Sequence, residues 1–251
     1  MPSLTRSARW VCWFNAWLAD AAPLETATDA VRADDAAHHV LGGTAGLLAQ
    51  RDGDAPSAEP LLLAWGALRR AGATGASLAL PEPGDPYGLA GPAPFTAAAT
   101  DAGEAVVVEG IGVGVVPEVV GSGVFWHLYD AHPVSPTAGV AESSRELRTE
   151  LAGTADELLS LDVARWRPEV REALADIREA TAPALAPGYD PRAEQLAATA
   201  LRCLAIAELA ADTESAAVTA WESDTRAAHL RTLARTARHA LVVACTAGRP
   251  R

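Results

Sequence analysis

The chain has 251 residues, 49% of them apolar and 21% charged, a length and balance that support a hydrophobic core without disulfide or metal staples and exclude a disordered or collagen-like chain. Twenty basic against 32 acidic residues give a net charge of −12, which disfavours a general role in coating nucleic acid or anionic membrane. Every basic residue is arginine, so a Schiff-base lysine and a phosphate-loop lysine are both excluded.

Trp10, Trp13, Phe14 and Trp17 recur at helical spacing, so the first element is expected to be a helix with an aromatic stripe. Arg6 and Arg9 precede this apolar stretch, and Ala19-Asp20-Ala21 imitates a signal-peptide cleavage site. Three tryptophans and Asn15 suit an amphipathic helix better than a signal core. No stretch approaches the length of a membrane span. Cys12, Cys203 and Cys245 stand far apart in apolar helical contexts without a C-x-x-C pair, which points to a reducing, cytoplasmic setting.

A second helix is expected from Pro23 to His39 or Leu41, stopped by Gly42-Gly43. A third has Pro60 in its first turn, runs through Leu61 to Leu68 and ends on Arg69-Arg70 before Gly72. Ser77 to Leu80 reads as a strand, Pro81 to Pro94 as a loop dense in proline and glycine, and Phe95 to Ala102 as a short helix. Ala105 to Val108, Ile111 to Val116 and Gly123 to Tyr129 then form an antiparallel meander.

Beyond His132-Pro133 the pattern is helical. Helices are expected from Ala141 to Leu161 and from Pro168 to Ala180, and Thr181 to Tyr189 reads as a linker. Asp190-Pro191, a cap followed by a first-turn proline, starts a helix to Ala211 with Leu196, Ala200, Cys203, Leu204, Ala207 and Leu209 on its buried side. One or two helices fill Ser215 to Ala247. The predicted fold class is therefore α+β: residues 1–135 carry N-terminal helices and a small, mostly antiparallel sheet of about four strands, and residues 136–251 form a helical half, separate from or continuous with the first.

The candidate sites are modest. Asp34 with His38, and Asp35 with His39, stand four apart in the expected second helix; each pair offers an oxygen and an imidazole, with Asp35 and His39 the weak metal candidates, but no further ligands are identifiable. Gly110-Ile111-Gly112-Val113-Gly114 begins like a dinucleotide fingerprint, yet the residues after it continue a strand instead of opening a helix. Its glycine face instead allows close approach of another backbone, with the helix from Phe95 the candidate neighbour. Asp85 and Tyr87 in the proline loop, with His127, Asp130 and His132 at the end of the aromatic strand, make up a candidate ligand or partner surface. The tail from Arg226 carries +6, leaving −18 on the rest of the chain for the net of −12. Within it Arg231, Arg235 and Arg238 form a basic stripe suited to phosphate, an acidic partner or the acidic body of the same protein, with intramolecular or subunit docking the simplest reading; nucleic acid is disfavoured because no reading helix or stacking motif accompanies the stripe.

Trp13-Phe14-Asn15-Ala16-Trp17-Leu18, Pro83-Gly84-Asp85-Pro86 and Gly188-Tyr189-Asp190-Pro191-Arg192 resemble stretches of an uncharacterised family of soluble proteins of high-GC actinobacteria. The resemblance spans most of the chain, implies a cytoplasmic bacterial setting and brings no activity or cofactor with it. With no complete catalytic motif, the leading reading is an interaction or regulatory protein that binds a protein partner or itself through the tryptophan helix, the proline loop and the arginine stripe. The alternative is a ligand-binding protein or enzyme with its site between the two halves, walled by the Pro81–Pro94 loop. A third reading makes the C-terminal helices a homodimer interface.

Overall fold

Residues 3–41, 58–132, 134, 138–160, 176, 177, 179, 184–212 and 220–250 are described by a computed structural model of the chain. Thr5, extended in backbone, caps the first helix by accepting the Ala8 N–H on its hydroxyl at 3.2 Å, and α1 runs Arg6–Leu18. Trp10, Phe14 and Trp17 fall on one face and are buried. The expected aromatic stripe is therefore core rather than an interaction surface, and of the four rings only Trp13 stays half-exposed.

The second helix corrects the sequence expectation. α2 covers Leu24–Arg32 and ends at Ala33, whose φ of 46° no helix continues. The Ala36 N–H donates to the Ser122 carbonyl and the Val124 N–H to the Ala37 carbonyl, drawing the chain into strand β1, His38–Leu41, where a helix had been expected. Sheet pairing that buries His38 and Val40 overrides local helix preference here. The expected Gly42-Gly43 stop lies outside the described residues.

Strand β2 is Ala58–Pro60 and runs directly into α3, Leu61–Arg70, so Pro60 is the residue before the helix and not within its first turn. β3 is Gly75–Ala79, α4 Ala93–Ala102, β4 Ala105–Glu109, β5 Val113–Val120 and β6 Gly123–Asp130. The sheet has six strands in the order β2-β1-β6-β5-β4-β3, not about four. It is mixed: β1 lies parallel to β6, and the other neighbours are antiparallel. Sequence reading missed β1 and β2, which are short and sit on either side of a segment outside the described residues.

Side-chain alternation divides the sheet into two faces. On one, Ala76, Leu78, Val106, Val108, Val115, Trp126 and Val40 are buried on the α1 side. Trp65 of α3 completes that core, its ring centroid 5.1 Å from Trp10 and 5.0 Å from Phe14 in edge-on contacts. On the other, α4 sets Phe95 and Ala99 against Ala79, Ala105, Val107 and Val116. A Cβ on Gly114 would collide with the Phe95 ring, so the glycine-rich strand does admit a close neighbour from that helix, a side chain rather than its backbone.

The proline loop folds onto the same unit. Glu82 and Asp85 exchange backbone hydrogen bonds of 3.0 and 2.8 Å across Pro83-Gly84, and Gly84 takes φ 84°, the turn geometry in which proline comes first and glycine second. Gly88 lies so close to β3 that a Cβ would come within 2.9 Å of the Ala79 Cα.

The C-terminal helices are α5, Val140–Ser160; α6, Pro191–Asp212; and α7, Ala220–Ala247. Leu196, Ala200, Cys203 and Ala207 are buried along α6 as expected, while Leu204 and Leu209 are only half-buried. Most of the helix expected from Pro168 lies outside the described residues. The chain forms two compact units, one of Thr5–Thr137, Leu185–Asp190 and Cys245–Arg251, the other of Met1–Leu4, Ala138–Ala184 and Pro191–Ala244. The segment read as a linker is thus part of the sheet unit in its last five residues, where Leu185, Ala186 and Tyr189 are buried.

Candidate functional site

The strongest polar network in the sheet unit is built on Asp35. The Arg6 guanidinium grips its carboxylate through Nε at 2.9 Å and Nη2 at 2.7 Å, and Arg9 approaches to 3.5 Å. His38 Nε2 lies 3.0 Å from the same carboxylate, and the Trp126 indole N–H donates to His38 Nδ1 at 3.3 Å. With Nδ1 accepting, Nε2 must carry the proton and donate to Asp35, so the imidazole is neutral. Burial lowers the His38 pKa against the pull of Asp35, and the hydrogen bond from Arg6 holds Asp35 down to about 2. Asp–His is a familiar acid–base pair, but here both ring nitrogens are engaged and the imidazole side chain is only 1% exposed. No face of the ring remains to take a proton from a substrate.

This network replaces the expected helical pairs. Asp35 pairs with His38 three residues away, outside any helix, while His39 turns to the opposite face and packs its ring against Phe125 at 6.0 Å. Among the described residues no three His, Cys, Asp or Glu side chains gather as a metal site. Arg6, Arg9 and Trp126 were missed because their partners lie 29, 26 and 88 residues away in sequence.

The other predicted site residues separate into two places. The His132 N–H donates to the Ala90 carbonyl at 2.9 Å, which brings the strand end beside the proline loop of Asp85 and Tyr87. Asp130 is exposed at the end of β6, and Tyr129 packs against Phe95. His127 lies further back on β6, about 13 Å from Ala131 at the usual strand rise, and its Nε2 meets Glu118 Oε2 at 2.6 Å on the half-exposed outer face. In the helical unit Arg231 and Arg235 are exposed on α7 and Arg238 is half-buried.

A second polar constellation was not visible as a motif. Asn15, in the middle of the aromatic stripe, accepts the Ala76 N–H at 2.7 Å and donates to the Ala76 carbonyl at 2.9 Å, so its carboxamide pairs with β3 as a neighbouring strand would. Thr246 accepts the Leu78 N–H on the same edge at 3.1 Å. The Tyr189 hydroxyl donates to the Cys245 carbonyl at 2.8 Å and meets the Asn15 amide at 3.3 Å. Burial raises the Tyr189 pKa; contact with Cys12, reinforced by burial, raises that of Cys245. All three cysteines are free and buried away from solvent, and burial pushes Cys203 up to about 11.

Beside this edge Asn15, Leu18, Ala19, Thr74, Arg249 and Pro250 line a hollow of about 290 Å³. Arg249 crosses Gly75, where a Cβ would stand 2.5 Å from its Nη1, and pairs with Glu109 at 2.8 Å. Glu109 is fixed in turn by the Ser77 hydroxyl at 2.6 Å. A lone polar residue between tryptophans and an arginine two residues from the end were the available sequence signals, and neither points to the other.

Among the described residues no helix is long and apolar enough to cross a membrane. No curated protein and no solved structure matches the chain. Two family models do: the Rv1486c-like protein N-terminal domain over residues 7–142 and the Rv1486c-like protein C-terminal domain over residues 141–242. These matches cover nearly the whole chain and meet close to the point where the sheet gives way to helices, and the chain belongs to the Rv1486c-like protein family.

Proposed function

We propose that this protein is a cytoplasmic interaction or regulatory protein that works by binding another protein chain. The observation that carries the reading is how its acid–base groups are used. Asp35 and His38 are closed on each other by Arg6 and Trp126. Tyr189, Cys203 and Cys245 are buried with their pKa values raised, and Cys12 is buried in the apolar core. The large apolar side chains left exposed include Val119 and Val120 on the β5–β6 hairpin, 53% and 49% accessible, beside the half-buried outer ring of Phe125. Free thiols throughout support a reducing compartment. Arg231 and Arg235, exposed on α7, give the helical unit a cationic stripe that suits an acidic partner.

Parallel capture with the wild-type chain and a Val119→Asp, Val120→Asp variant tests the reading, with light scattering over a range of concentrations to register self-association. A partner, or a second copy, held by the wild type and released by the variant supports it. Equal retention by both chains overturns the hairpin as the binding surface, and saturable turnover of a small substrate overturns the non-catalytic reading.

A further inference from the structure

The hollow beside β3 has features that nothing in the protein-binding reading uses. At about 290 Å³ it matches the lower limit of small-molecule pockets and fits a compact metabolite. Its polar side is the Arg249 guanidinium, prepositioned by Glu109 and by the absent side chain of Gly75. One carboxylate at one end of the fork leaves other N–H donors of the five available for a second acceptor. Among the described residues, Glu109 is the ion-pair partner that Arg249 has.

Opposite charge character comes from α1. Leu18 closes the helix and Ala19 follows it, and both line the hollow, so it opens at the carbonyl end of the helix, where the peptide dipoles place partial negative charge. The carbonyls of Asn15, Ala16 and Trp17 are taken by the N–H groups of Ala19, Ala21 and Asp20, which leaves the helix end to act through the carbonyls of Leu18 and Ala19, the residues that line the hollow. Asn15 has its carboxamide engaged at both ends and serves as floor. Thr74 adds an exposed hydroxyl, and Leu18, Ala19 and Pro250 supply apolar wall.

A multiply charged anion such as phosphate fits this arrangement poorly, because it would face both Glu109 and the negative end of a helix. A ligand with a carboxylate for Arg249 and Thr74, an ammonium for the carbonyl end of α1 and a small uncharged side chain for the apolar wall fits all three features. We infer that the hollow is a binding site for a neutral α-amino acid or a zwitterion of that form.

Titration of the full-length chain with individual neutral amino acids, followed by calorimetry and thermal unfolding, tests this, with acetate, methylamine and inorganic phosphate as probes of each charge alone. A saturable heat and a rise in melting temperature from at least one amino acid, larger than from any of the three probes, is the expected result. Arg249→Gln weakens that binding by at least about tenfold. Since this change also removes the Glu109 pair, Leu18→Phe provides the second variant: it fills the hollow, leaves the ion pair in place and abolishes binding while the ligand-free chain still melts cooperatively. Acetate or phosphate acting as strongly as the amino acids, no response to any amino acid at millimolar concentration, or an unchanged response in Leu18→Phe overturns the assignment.

Discussion

His38 with Asp35 and His127 with Glu118 are the same pair of functional groups at similar separations, 3.0 and 2.6 Å, in the same sheet unit. The shorter contact is the weaker support. Glu118 is 58% exposed and His127 34%, so water competes for both partners and each gives up side-chain freedom to meet the other. The Asp35 carboxylate is 12% exposed and holds a bidentate arginine as well as the imidazole, whose far nitrogen is tied to an indole. Distance therefore ranks these pairs wrongly; burial and the number of further partners rank them correctly.

Removing Asp35 breaks the comparison most severely. Asp35→Ala leaves Arg6 and the His38 Nε2 proton without their acceptor beside the tryptophan core. A loss of about 3 kcal/mol in urea unfolding is expected, the cost of deleting one member of a partly buried charged pair. A loss below about 1 kcal/mol would place this network on a par with the exposed pair.

Acid offers a graded version of the same test. The folded His38 pKa lies below 6.5, so below that pH the unfolded chain binds more protons and stability falls with the pH. Asp35 is depressed from 3.8 to about 2, so its contribution of about 2 kcal/mol is present above pH 4 and disappears as the pH falls toward 2. Both effects run the same way. Urea midpoints of the wild type should decline in two stages, one starting near pH 6.5 and one between about 4 and 2, and the lower stage should vanish in Asp35→Asn. An identical acid profile in the variant would show that other carboxylates control the acid limb.

Much of the scaffold was legible in the sequence, for physical reasons that also explain the failures. Period and punctuation located α1, α3, the β4–β5–β6 meander and the start of α6, because each is decided by neighbours within a few residues: Trp10 to Trp17, Pro60 to Gly72, the glycines of the turns, Asp190-Pro191. The stretch from Ala33 to Leu41 was misread because its conformation is decided by β6, nearly ninety residues on, where His38 meets Val124 and Trp126. The hollow was illegible for the same reason: Asn15, Thr74, Glu109 and Arg249 come from four distant places, and only the fold juxtaposes them. Asp130 ends β6 and His132 follows two residues on, yet strand geometry carries His127 away to Glu118, a separation that the sequence spacing alone conceals.

The smallest expected effect sharpens the comparison from its other side. Glu118→Gln removes the charge opposite His127 but keeps an amide that can still accept from the ring, and both side chains stay hydrated in either state. Unfolding free energy at neutral pH should therefore change by no more than about 0.5 kcal/mol, and added salt should shrink the difference further. The neighbouring contacts bear on the sign: Glu118 stands opposite Phe125, and Val119 and Val120 follow it into the exposed hairpin, so loss of its charge makes that edge more apolar rather than less well packed. Stability should then remain level while the tendency to self-associate, measured by light scattering, rises. A stability loss above about 1 kcal/mol would mean that this pair also works in a shielded environment, and that its half-exposed face is covered in the native protein.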